Sequence, residues 1–284
     1  MYKLAIARIM LMPQKGNIYK LEAIFALVLF GLIFAWWISL HTIYAPASAE
    51  QLQLWAASYQ IIALFGALVG MAISLRWGGF RSLIGRAISM FSLGLLFQVF
   101  GQSVYSYYIY FLNQPIPYPS MGDVGYFGSI PLYFYGALLI ARAAGAHLSL
   151  RGYRNQLLSV ILPLLMLSLS YTIFLSDYSF DWSTPVKILL DFGYPLGQVM
   201  YVSAAILAFL LSRNLLGGLM RLPMLAFIGA LIIQYIADFM FLYQANAGLW
   251  FAGGTNDMIY AVSYLVMTLS LIYIGYIYLK IHES

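Results

Sequence analysis

Eight long runs of apolar residues, almost free of charge, constrain this chain more than any other feature of its sequence. A run of about 20 apolar residues crosses the hydrocarbon core of a bilayer as a helix, because lipid offers the backbone no partner outside that helix. Only 8% of the residues are charged, against about 25% in an average soluble domain. We therefore predict an all-α polytopic bundle embedded in a lipid bilayer. The eight predicted spans are about 21–43, 52–75, 85–111, 123–141, 157–176, 186–212, 221–243 and 257–279.

Basic residues are distributed unevenly between the two sides of these spans. Thirteen of the fourteen lysines and arginines lie before the first span, in the even-numbered connections or after the last span, and Lys187 is the exception. Cytoplasmic loops carry such an excess, so we predict a multi-pass protein of the cell inner (plasma) membrane with both termini cytoplasmic. The basic residues behind the net charge of +5 lie almost all on one side of the membrane. This distribution does not indicate binding to nucleic acid. Residues 1–20 form the predicted cytoplasmic segment, in which 1–12 are either an interfacial helix or a frayed terminus.

The tetrapeptide Asp-x-x-Tyr occurs at residues 123–126, 191–194 and 257–260, in copies 68 and 66 residues apart. Tyr59 extends the series by a further 67 residues, with Ala56 in place of the aspartate. Near-constant spacing predicts an internal repeat that places a carboxylate at the same depth each time.

A second echo joins the third and seventh spans. Gln98 and Gln102 lie 136 residues before Gln234 and Asp238. We predict a single transmembrane domain over 21–280, built from two parallel four-helix halves at about 21–141 and 157–279. Four helical hairpins are a finer alternative. Parallel repeats in membrane proteins often place binding sites between them.

Asp123 and Asp257 are predicted near the outer ends of their helices. Ser120 and Asp123 have the spacing of a capping box, and Thr255 or Asn256 could cap the eighth span with Asp257 in its first turn. Helix capping and the rim of a pocket are therefore alternative roles for both acids.

Asp191 and Asp238 lie deeper in their spans. Lys187 precedes Asp191 by four residues, so an ion pair on one helix face is the local alternative to a binding role. Asp238 is about two-thirds of the way across the seventh span, with no basic residue within one helical turn. An acid there is expected to face the bundle interior and to be protonated, paired at long range or bound to a ligand.

Glutamines and tyrosines supply further polar groups at similar depth. Buried amides join helices or orient a ligand, and tyrosines add hydroxyls and ring faces. The predicted ligand-binding residues are Asp238, Asp191, Gln102, Gln98, Gln234, Tyr126, Tyr194, Tyr260, Asp123 and Asp257, with Lys187 as an ion-pair candidate. Trp36, Trp37, Trp55, Trp182 and Trp250 are assigned to the aromatic belt at the outer membrane interface.

Residues for most catalytic chemistry are missing from the sequence. The chain has no cysteine, and its three histidines are scattered at positions 41, 147 and 282. No metalloprotease, serine hydrolase or phosphate-loop motif is present. We predict that the protein is not an enzyme and uses neither a metal nor a cofactor.

Residues 117–123 (PYPSMGD), followed by Tyr126 and by Pro131 with Leu132, resemble a recurring segment of bacterial signalling proteins. In that family a multi-helix membrane sensory domain precedes a GGDEF, EAL or histidine-kinase output domain. Residues 194–197 (YPLG) and Asp238 with the alanine before it resemble the family's pattern as well. The similarity covers roughly residues 20–280.

Three positions depart from this pattern. At position 122 this chain has glycine where the family has alanine. Before Pro131 and Leu132 it has Ile130 where the family has tyrosine, and after residues 194–197 it has Gln198 where the family has an acid. No output domain follows in the sequence, so the resemblance implies a sensor that signals through a separate partner protein.

Together these features predict an outward-facing, acidic and tyrosine-rich pocket between spans three, four, six, seven and eight. The expected function is a membrane-embedded sensory or ligand-binding module for a small cationic or amphipathic molecule. Asp238 is its predicted central acceptor, Asp191, Gln102 and Gln98 orient the ligand, and Asp123 and Asp257 shape the rim. The alternatives are a small proton-coupled transporter that uses Asp238 and a structural subunit of a membrane complex.

Overall fold

A computed structural model describes residues 17–114, 116–143, 152–174, 180–212, 221–246 and 248–282. Within these ranges the chain is helical and contains no β-strand. The predicted interfacial helix at 1–12 lies outside the described residues.

Nine α-helices follow one another along the described chain. They are α1 (Asn17–His41), α2 (Ala49–Ser58), α3 (Ile61–Arg76), α4 (Leu83–Tyr110), α5 (Met121–Ala143), α6 (Tyr153–Phe174), α7 (Pro185–Ser212), α8 (Arg221–Asn246) and α9 (Thr255–His282). With α2 and α3 taken together as one span, eight helical segments in these ranges are long and apolar enough to cross a membrane. The predicted spans are thus confirmed, and they indicate a multi-pass membrane protein.

Six helices form a closed ring. Each packs against the next in the order α3, α4, α5, α7, α8 and α9, and α9 returns to α3. Helix α1 packs outside the ring on α9 and on the second span, while α6 packs outside on α7. Burial follows this arrangement, because α9 is the most buried span and α6 the least.

Helices α4 and α5 cross closely through glycines. A methyl group at Gly125 would lie 2.5 Å from the Phe97 carbonyl oxygen and 2.6 Å from the Gly101 nitrogen. A methyl group at Gly101 would lie 2.9 Å from the Tyr126 ring. Because glycine has no side chain, the two backbones can come together here. Their close approach sets the distance between the polar groups on the two helices.

The two ends of the bundle differ in composition. One end holds the start of α1, the end of α3 and the end of α9, where Arg76 donates to the Tyr19 hydroxyl and Trp77 packs on Tyr278. The other end holds the starts of α2, α5, α7 and α9, and it carries Lys187 among the acids described below.

Candidate functional site

A cavity of about 530 Å³ opens at the Lys187 end of the bundle. Its walls come from α4, α5, α7, α8 and α9, which are the five spans that the sequence predicts. The second span contributes as well, through Gln53, Ala56 and Tyr59, and the α4–α5 connection adds Ile116 and Tyr118.

Most of the predicted site residues meet in this cavity. Eight of the ten line it, namely Asp123, Asp191, Asp238, Asp257, Gln102, Tyr126, Tyr194 and Tyr260, and so does Lys187. The other two, Gln98 and Gln234, line a smaller chamber of about 20 Å³. The chamber shares Asp238, Gln198, Tyr126 and Tyr194 with the cavity, so the two spaces adjoin at these residues.

Asp238 lies where the cavity and the chamber meet, and it joins three helices. Its carboxylate accepts hydrogen bonds from the Tyr201 hydroxyl of α7 at 2.9 Å and from the Tyr260 hydroxyl of α9 at 2.7 Å. Gln234, one turn earlier on α8, donates at 3.4 Å. All three donors are neutral, so the hydrogen bonds to the carboxylate, two of them from other helices, supply no positive charge.

Asp123 serves both as a helix cap and as part of the cavity wall. One carboxylate oxygen accepts from the Ser120 backbone at 2.7 Å, while the Ser120 hydroxyl accepts from the Gly122 backbone at 3.1 Å. The predicted capping arrangement is thereby confirmed. The second oxygen accepts from the Tyr194 hydroxyl at 2.8 Å and links α5 to α7.

Asp257 is buried near the start of α9 and accepts from the Gly253 backbone at 2.6 Å. The predicted caps are wrong in detail, because α9 begins at Thr255 and neither Thr255 nor Asn256 precedes it. Asn256 instead donates to the Ala237 carbonyl of α8 at 2.9 Å, because it faces that helix and not the free end of its own.

Asp191 has a partner that its own helix does not provide. Tyr118, in the α4–α5 connection, donates its hydroxyl to the Asp191 carboxylate at 2.7 Å. Burial raises the pKa of the Tyr118 hydroxyl, and its hydrogen bond to Asp191 raises the pKa further. The tyrosine therefore stays a neutral donor at the mouth of the cavity, 73 residues away in sequence from the acid that it binds.

Two glutamines of α4 act as bridges between helices. Gln102 accepts from the Tyr126 hydroxyl at 2.6 Å and donates to a backbone carbonyl of α2 at 3.0 Å. Gln98 donates to the Ser129 hydroxyl at 2.8 Å and accepts from the Tyr264 hydroxyl at 3.0 Å. Both amides thus hold the walls of the site in position, in agreement with the interhelical alternative.

Three tryptophans of the predicted belt have different surroundings. Trp182 is 76% exposed, as a belt residue would be, whereas Trp55 is fully buried and donates its ring nitrogen to the Ile33 carbonyl at 2.9 Å. Trp250 lines the cavity. The belt assignment is therefore wrong for Trp55, because position along a span does not tell which face of the helix meets lipid.

Several residues of the cavity and of the chamber escaped prediction as ligand contacts. Tyr118 belongs to the segment that carries the family resemblance, and Tyr59 belongs to the repeat series, so both had a usable sequence signal. Tyr201 and Tyr133, which line the small chamber, had none, since tyrosine is common along this chain.

Charge and aromatic rings together define what the cavity can bind. Four carboxylates and eight tyrosines line it, and Lys187 is the one basic residue among its described lining residues. Aromatic faces and carboxylates both attract cations. Within the described ranges, no group of three metal-binding side chains is present.

Comparison with known proteins gives no match to a family model, to a curated protein or to a solved structure.

Proposed function

We propose that this protein is a membrane-embedded sensory module whose cavity binds a small organic cation, and that it signals through a separate partner protein. The single observation that carries this proposal is the wall of four carboxylates and eight tyrosines, with one lysine, around a space of about 530 Å³. That volume falls within the range of about 300–1,000 Å³ that small-molecule sites occupy. Such a surface favours a positive group on an aromatic or aliphatic body.

Asp238 is the proposed central acceptor of the ligand. Its neutral donors leave its negative charge uncompensated by any hydrogen-bonding partner described above, and it lies at the inner end of the cavity. Asp191 and Gln102 then orient the ligand, while Gln98 acts through the tyrosine that it holds. Asp123 and Asp257 shape the rim, together with Tyr194, which donates to Asp123.

The duplication of a four-helix half accounts for this architecture. Two hydrogen bonds support it, since Tyr126 donates to Gln102 and Tyr260 donates to Asp238 between corresponding helices of the two halves. Helix contacts correspond as well, because α5 packs on α7 as α9 packs on α3. In this proposal the cavity faces outward and both termini are cytoplasmic, as the basic residues indicate.

Binding is favoured over passage through the membrane. Phe91 and Phe227 stack with ring centroids 4.6 Å apart and are almost fully buried. Each precedes a chamber glutamine, Gln98 or Gln234, by seven residues, or about two helical turns. The two stacked phenylalanines therefore lie across the axis of the helix ring, on the inner side of the chamber. A barrier there supports a receptor role more than it supports a transporter that uses Asp238.

A sensory role draws support from the residues that carry the family resemblance. Pro117, Tyr118, Asp123 and Tyr126 all line the cavity. Helix α9 continues from the cavity rim to the opposite end, where His282 stacks on Tyr278. A change at the rim could thus reach a cytoplasmic partner along one buried helix.

Binding of 2-phenylethylammonium to the full chain in lipid nanodiscs tests the proposal by isothermal titration calorimetry. Asp238→Asn removes the charge and keeps the shape of the side chain, so affinity should fall at least about tenfold, or about 1.4 kcal/mol. Asp181→Asn makes the same chemical change at an exposed acid outside the cavity and should bind as the unaltered protein does. Equal affinity in the two variants would sink the proposed role of Asp238.

A further inference from the structure

We infer that the small chamber receives a primary ammonium group, so that the ligand is a primary amine whose body lies in the larger cavity. This inference rests on the proposed function and names its ligand class. It follows from the size of the chamber, from two buried acceptor atoms in its wall and from the number of donors that different cations carry.

The chamber has room for one small group. Its volume of about 20 Å³ exceeds the roughly 10–15 Å³ that a single water-sized group needs. An ammonium nitrogen with its hydrogens is of that size. Because Asp238 lines both spaces, an ammonium group that binds Asp238 from the chamber has the larger cavity beside it for the rest of the ligand.

Gln234 lines the chamber and carries a buried acceptor atom with no partner among the described residues. The residue is 1% exposed, and its amide nitrogen points to Asp238 at 3.4 Å. The carbonyl oxygen of the same amide must therefore point elsewhere. It has no hydrogen-bond partner within the described ranges, and buried acceptors in native proteins are normally paired.

Tyr133 contributes a second acceptor of the same kind. It is also 1% exposed, and its hydroxyl oxygen has no partner in the part of the chain that the structure describes. The ring is held by packing, since it stacks on Phe91 and meets Tyr201 edge-on. The hydroxyl is thus a fixed feature of the chamber wall.

The number of donors then selects among cations. A primary ammonium has three N–H donors and no acceptor, and among the polar residues that line the chamber Asp238, Gln234 and Tyr133 can each offer it an acceptor. A trimethylammonium group has no N–H and is larger than the chamber. An alcohol brings one donor and no charge to balance Asp238. A primary ammonium can donate to all three of these acceptors at once.

The test compares 2-phenylethylammonium with its N,N,N-trimethyl homologue, by calorimetry on the full chain in nanodiscs. The primary amine should bind at least about tenfold more tightly, because the homologue leaves polar groups of the chamber unpaired. Tyr133→Phe and Gln234→Leu should each weaken the primary amine and leave the homologue unchanged. Tyr110→Phe, on the cavity wall away from the chamber, should leave the preference intact.

The outcomes separate this inference from the proposal beneath it. If the unaltered protein binds both amines equally, or if the chamber variants weaken both to the same extent, the chamber assignment is overturned and the cationic cavity stands. If neither amine binds the unaltered protein, the cavity proposal falls together with the inference. Tyr133→Phe removes one oxygen and keeps the ring, so it serves as the decisive variant should Gln234→Leu fail to fold.

Discussion

Replacement of Gly125 by alanine should weaken the contact between α4 and α5 that supports one wall of the cavity. The added methyl group would lie 2.5 Å from the Phe97 carbonyl oxygen and 2.6 Å from the Gly101 nitrogen, whereas ordinary contacts begin at 3.4 Å. Both atoms belong to the backbone, so no side chain can rotate away. The two helices must separate locally by about 0.9 Å.

The expected loss of stability follows from two opposing effects. Overpacking of a close contact costs about 1–3 kcal/mol. Alanine in place of glycine within a helix returns about 0.5–1 kcal/mol. Relative to a glycine-to-alanine change that meets no contact, we expect a decrease of about 1–3 kcal/mol in the free energy of unfolding. Amine binding should weaken as well, because the bond from Tyr126 to Gln102 spans the same crossing.

Titration with SDS in mixed micelles, followed by circular dichroism, measures this free energy. Gly229→Ala is the matched control, since it is a helical glycine of α8 with no atom within 4 Å of the added carbon. The control should be as stable as the unaltered protein or slightly more so. If Gly125→Ala matches the control, the described approach of α4 and α5 is refuted.

Two further perturbations probe particular contacts. Trp55→Phe removes the ring nitrogen that donates to the Ile33 carbonyl in a fully buried site. The free energy of unfolding should fall by about 1–3 kcal/mol. Trp182→Phe makes the same change at an exposed residue and should leave the free energy of unfolding unchanged. Hydrogen bonds from the side chain and backbone of Ser183 lower the pKa of the Asp181 carboxyl. The stabilisation that these bonds provide is present above the ordinary pKa of aspartate and is lost as the pH falls through the lowered value. Ser183→Ala should therefore shift the acid transition of Trp182 fluorescence to higher pH, and an unchanged transition would contradict the assignment.

Local sequence signals predicted the spans and one helix cap, which depend on residues close together in the chain. The eight spans follow from the length of apolar runs, because a helix in lipid pairs its own backbone groups. The capping role of Asp123 follows from Ser120 three residues earlier, and the structure confirms it. The same reasoning failed for Asn256, because a competing carbonyl on α8 takes its amide.

Long-range partners could not be predicted in this way. Asp238 was singled out because its own helix offers no cation, yet its hydroxyl donors, Tyr201 and Tyr260, lie 37 and 22 residues away. The bond from Tyr118 to Asp191 spans 73 residues. With 24 tyrosines in the chain, residue type alone does not indicate which hydroxyl reaches which acid.

The sequence by itself therefore determined a helical membrane bundle and the depth at which most of its polar groups lie, since both depend on position along single helices. Tertiary structure decided which of those groups meet. The order of helices in the ring and the glycine contact between α4 and α5 bring Asp238, Gln234 and Tyr133 to one small chamber. Hydrogen bonds and van der Waals contacts act over a few ångströms. The rotation and spacing of whole helices therefore decide which polar groups come within reach of one another, and the pattern along a single helix does not contain that information.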